Sequence, residues 1–114
     1  MSIEFALSQA RPASAAVGAL VVGLYEDRVM TSAAAAVDEA SGGRLKALVD
    51  AEDISGKSGK VGVLHRLEGV DSPRVLVVGL GDRRKFDAAG YRKAVATAVR
   101  ALRETPASDA LLTL

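Results

Sequence analysis

RVLVVGLGDRRKFDAAGYRKA, Arg74 to Ala94, passes from an apolar segment through two glycines into an amphipathic one. Val75 to Val78 is short and apolar on every side chain, three of them β-branched valines, which predicts a buried strand. Gly79 and Gly81 predict a tight turn, because glycine alone adopts unusual φ values without strain. Asp87 is a good N-cap for a helix reaching about Glu104, and Pro106 stands just past its end. Tyr91, Ala94, Val95, Ala98 and Leu102 recur at helical spacing and predict its buried face. The unit is strand, turn, helix.

The rest of the chain repeats this alternation. Ile3, Phe5 and Leu7 alternate with polar or small residues and predict a first strand. Arg11 to Ser14, with Pro12, reads as a connection. Ala19 to Leu24 predicts a second buried strand, closed by Glu26 and Asp27. Thr31 and Ser32 can cap an alanine-rich helix to about Ala40, which Gly42-Gly43 ends. Leu45, Leu48 and Val49 give a second, short helix its apolar face. Asp53 to Gly59 reads as a loop. Val61, Val63 and His65 mark a third strand, joined by the short turn-rich Gly69 to Pro73 to the strand at Val75; that brevity predicts an antiparallel hairpin. Ala110 to Leu114 predicts a fifth strand. The order implies an α/β domain, a mixed β-sheet flanked by helices. An apolar strand at the chain's end would leave a bare sheet edge, so a truncated domain is expected.

The chain has 114 residues, enough for one domain. Half of them are apolar, only four are aromatic, and the net charge is +1. The core is therefore built from Ala, Val and Leu, and global charge gives no reason for a nucleic-acid partner. The absence of cysteine excludes a disulfide scaffold, a thiolate metal site and a cysteine nucleophile. The apolar run Ala15 to Tyr25 is shorter than the about 20 residues a membrane helix needs. A soluble, cytoplasmic protein without a membrane partner is expected.

Each candidate site competes with a structural reading. Gly79-Leu80-Gly81 begins like a dinucleotide fingerprint, G-x-G-x-x-G, but Arg84 stands where the third glycine belongs. The acidic residue expected at the end of a second strand is also missing; Glu104 has the spacing but falls at a helix end. Ser55-Gly56-Lys57-Ser58 resembles the tail of a phosphate-binding loop, yet it follows a helix and precedes a strand, the reverse of what phosphate binding at a helix N-terminus needs. His65, the only histidine, has no local carboxylate to work with. The basic residues are more informative. Arg83, Arg84 and Lys85 precede the long helix, where cations oppose its dipole. Arg92, Lys93, Arg100 and Arg103 fall within an arc of about 100° on the side away from its apolar face. Together they form a candidate DNA contact, against the alternative of an ordinary solvated helix face.

ALVVGLYED, then a helix pair closed by Gly42-Gly43, then ISGKSGKVGVLHRLEGVDSPRVLVVGLGDRRKFDAAGYRKAVATAVRAL resembles the N-terminal domain of leucyl aminopeptidases, the cytosolic two-metal peptidases of family M17. The resemblance covers nearly the whole chain. Its most specific pieces are Gly56-Lys57-Ser58-Gly59 leading into Val61 to His65, and Arg74 to Gly81 followed by Phe86 and Tyr91-Arg92. It implies a macro-domain-like α/β fold and, as partner, a larger C-terminal catalytic domain of the same protein. That domain would hold two divalent metals, zinc or manganese, in a homohexamer that removes N-terminal residues such as leucine from peptides. In some bacterial members it also implies DNA binding. The family's catalytic stretches, KG-x-x-FD-x-GG and NTDAEGR, have no counterpart here, so no catalytic or metal residue carries over and no cofactor is expected on this chain. Nucleotide or ADP-ribose binding follows from fold analogy alone.

Overall fold

The computed structural model describes residues 4–7 and 17–114. Ile3 and the connection at 11–14 lie outside the described residues. The elements run β1 (Glu4–Leu7), β2 (Ala19–Tyr25), α1 (Ser32–Ala40), α2 (Arg44–Asp50), β3 (Val61–His65), β4 (Arg74–Gly81), α3 (Ala88–Arg103) and β5 (Asp109–Leu112), with a 3₁₀ turn at Arg83–Lys85. The predicted mixed α/β architecture is what forms.

Local chemistry sets the helix starts. Thr31 accepts a hydrogen bond from the Ala34 N–H at 3.3 Å, and Asp87 accepts one from the Gly90 N–H at 2.9 Å. Each cap satisfies a backbone donor that the first helical turn leaves without a partner.

The five strands lie in the order β1-β5-β2-β4-β3. β1, β5, β2 and β4 are parallel, and β3 joins β4 antiparallel through the predicted hairpin. β5 therefore sits between β1 and β2. The expectation of a bare edge at the chain's end was wrong on this point: the edges are β1 and β3. Sequence position does not reveal it, because β1 and β2 close on β5 from far earlier in the chain.

β2 and β4 are apolar on both sides because both faces are covered. Leu20, Val22 and Leu24 pack with Ala33, Ala34 and Val37 of α1 and Leu45 and Val49 of α2. Val21, Leu76, Val78 and Leu80 pack on the opposite face with Ala94, Ala98 and Leu102 of α3. Full burial of each Leu or Val stabilises by about 1.5–3 kcal/mol. The apolar face of α3 is rotated from the predicted one. Ala94, Thr97, Ala98 and Leu102 are buried, whereas Tyr91 and Val95 are only half-buried. Small side chains let α3 lie close to the sheet, and Thr97 tolerates burial because its hydroxyl donates to the Lys93 carbonyl at 2.9 Å.

Candidate functional site

β2 and β4 are adjacent and parallel, yet the helices that follow them cover opposite faces. In open α/β sheets such a reversal opens a crevice beyond the carboxyl ends of the two strands, where ligands bind. Here the chain itself spans that crevice. The Glu26 N–H donates to the Gly81 carbonyl at 3.0 Å, the Gly81 N–H to the Gly56 carbonyl at 2.9 Å, and the Gly79 N–H to the Lys60 carbonyl at 2.8 Å. The loop after α2 thus crosses over the strand ends and is hydrogen-bonded there.

The glycines of this crossing have two separate roles. Gly81 has φ +79°, the turn conformation foreseen for it. Gly79 does not turn the chain: it lies inside β4, and a Cβ there would fall within the Lys57 carbonyl. Gly56 is constrained in the same way, since a Cβ on it would strike the Tyr25 carbonyl. The role of Gly56 was not foreseen in the sequence, because its partner is remote along the chain. Tyr25 also meets Phe86 edge to face, with ring centroids 5.7 Å apart and an interplanar angle of 84°.

Beside the crossing lies an open cleft of about 290 Å³, with Leu24, Val49 and Ile54 in its lining and charged residues among the rest. Arg28 ties the two sides together, 3.2 Å from Glu52 and 3.9 Å from Asp50. Both Arg28 and Glu52 have positive φ, 68° and 63°.

The seven basic residues divide into two groups. Arg83 pairs with Asp27 at 3.0 Å, and Arg84 with Asp82 at 3.4 Å. Asp82 also caps the 3₁₀ turn by accepting from the Arg84 N–H at 2.9 Å. That backbone hydrogen bond, with the Arg84 side chain beside it, holds the Asp82 carboxyl below the usual carboxylate range. The same pairing raises Arg84. Two of the three charges in the run are therefore locally balanced, and only Lys85 has no ion pair among the described residues. Arg92, Lys93, Arg100 and Arg103 are all exposed on α3, a helix without a single acidic residue. None of the four forms an ion pair among the described residues. Only Arg100 has a side-chain hydrogen bond there, 3.4 Å to the Thr97 hydroxyl.

Among the described residues no three His, Asp or Glu side chains gather as metal ligands would. His65 is exposed on β3. The residues present do not fit a two-metal centre, which needs converging carboxylates.

The fold and this end of the sheet define an α/β domain with a mixed sheet whose ligand crevice is crossed by its own chain. Residues 21–114 match the family model described as the cytosol aminopeptidase family, N-terminal domain. The chain belongs to that family. It is 52% identical, over its whole length, to a probable cytosol aminopeptidase of Xanthomonas oryzae pv. oryzae, 51% to one of Xanthomonas campestris pv. campestris and 48% to one of Xylella fastidiosa. It spans 23% of the length of each of these relatives. Among the described residues, no helix is long and apolar enough to cross a membrane.

Proposed function

We propose that this chain serves as the non-catalytic N-terminal domain of a two-metal leucyl aminopeptidase, supporting a C-terminal catalytic domain and its homohexamer in the cytoplasm. The observation that carries this reading is the match to the N-terminal family model over a chain that spans only 23% of its relatives. The crossed crevice supports it: the loop after α2 occupies the place where a related α/β fold would seat a small molecule. Zinc or manganese would belong to the other domain, since this chain's described residues do not fit them. The test is hydrolysis of leucyl-p-nitroanilide with Mn²⁺ or Zn²⁺. This chain is expected to give no turnover, and a longer protein carrying the remaining family sequence is expected to give metal-dependent turnover. Activity of this chain, purified free of other peptidases, would overturn the proposal.

A second reading, DNA binding, is favoured by one observation: the four exposed cations of α3 without an acidic neighbour on the helix. The contact would centre on Arg92, Lys93, Arg100 and Arg103, with Lys85 of the preceding 3₁₀ turn as a further cation, rather than on Arg83 and Arg84. Replacing the four α3 residues by Ala should weaken binding to any duplex and reduce its salt dependence. No binding by the unaltered chain at low salt sinks this reading. Nucleotide or ADP-ribose binding keeps only its fold analogy, and calorimetry with either is expected to show no heat.

A further inference from the structure

β3 is an edge strand, bonded to β4 on one side only. The Gly79 N–H donates to the Lys60 carbonyl at 2.8 Å, and the Arg66 N–H donates to the Pro73 carbonyl at 2.9 Å. Residues on an antiparallel strand alternate in the direction of their backbone groups. With Lys60 and Arg66 facing β4, so do Gly62 and Leu64. The backbone N–H and C=O groups of Val61, Val63 and His65 then point away from the sheet.

Natural edge strands are protected by proline, a bulge, in-strand charges or a covering element. VGVLH contains no proline and no Lys, Arg, Asp or Glu, and its register against β4 is uninterrupted. Val63 is 39% exposed, one of two large hydrophobic residues so exposed among the described residues. Among the described residues no strand covers this edge, which makes it a template for strand addition.

Pairing with a second copy in the register centred on Val63 is a poor solution. Antiparallel pairing about Val63 would set Lys60 of one copy opposite Arg66 of the other at both ends, and like charges directly opposed destabilise a strand pair. Lys60 and Arg66 fit instead a strand that is apolar in the middle and acidic at its ends. Resting on the reading of this chain as the N-terminal domain of a longer enzyme, we infer that β3 is extended by such a strand from the remaining three-quarters of that polypeptide. The family relatives have that length to supply it.

The test is residue-resolved amide hydrogen exchange in the longer protein. Gly62 and Leu64, bonded to β4, act as internal controls. If the strand is added, all five amides from Val61 to His65 exchange slowly, with Val61, Val63 and His65 at least about 100-fold protected. Fast exchange at Val61, Val63 and His65 beside slow Gly62 and Leu64 overturns the inference. So does protection of all five in the 114-residue chain alone that grows with its concentration, which would mean pairing between copies. A second variant keeps the test sharp. Val63→Pro removes an outward N–H without breaking the β4 ladder, a change edge strands tolerate. In the longer protein it should return Val61 and His65 to fast exchange while Gly62 and Leu64 stay slow; unchanged protection at Val61 and His65 counts against strand addition. Leucyl-p-nitroanilide turnover by the same longer protein tests the parent reading separately. An active enzyme with a bare β3 edge sinks only this inference.

Discussion

Leu76 and Val63 face each other across the β3–β4 ladder, one fully buried and the other 39% exposed. They are cross-strand neighbours on the same sheet. β4 has a strand on each side and a helix layer on each face, whereas β3 has one strand and partial cover. What separates them is the number of directions from which the chain returns to cover them. Stability should therefore fall off within one strand's width, while the capacity to bind a partner strand should rise over the same distance.

That gradient can be attacked at three points. Gly79→Ala should be the most damaging, because the added methyl meets the Lys57 backbone carbonyl rather than a side chain that can rotate away. The expected loss is at least about 3 kcal/mol, at the upper end of overpacking costs. Urea denaturation followed by circular dichroism measures it; a midpoint close to wild type would show that the loop does not press on β4. Leu76→Ala should cost about 3 kcal/mol by the same assay, the range for a buried leucine that leaves a cavity. Val63→Ala, directly opposite, should cost less than about 0.5 kcal/mol in this chain, as surface substitutions do. Equal losses at Leu76 and Val63 would mean that β3 is as enclosed as β4, and the comparison would fail.

Much of the fold was legible because its signals are short-range. The apolar run of β2 announced burial on both faces, and that of β4 announced a buried strand. Thr31 and Asp87 announced helix starts a few residues ahead of the backbone donors they satisfy. The brevity of Gly69 to Pro73 announced the β3–β4 hairpin. Other features were hidden because their causes lie far along the chain. Nothing near Arg83 indicates that Asp27 will neutralise it, and nothing near Gly79 indicates that Lys57 will lie over it. The rotation of α3 toward Thr97 and away from Tyr91 depends on how closely the helix approaches the sheet, which helical periodicity does not specify. At the candidate site the sequence marked the basic residues as one group, which the structure divides into paired and unpaired members among the described residues. That Arg83 is paired with a carboxylate while the α3 cations there are not depended on tertiary contacts.

The crossing of Gly56 over the end of β2 and of Lys57 over Gly79 bears on how mutational scans of this protein should be read. Any amino acid other than glycine brings a Cβ, and at both positions that atom meets backbone with little room to yield. Every missense change there is expected to score as damaging, conservative or not, which is the profile usually taken to mark a catalytic residue. A screen of a longer aminopeptidase for lost turnover would flag both glycines although neither has chemistry to contribute. Protein abundance measured beside activity separates the cases, since these variants should lose both in proportion, whereas a true catalytic lesion leaves folded protein behind.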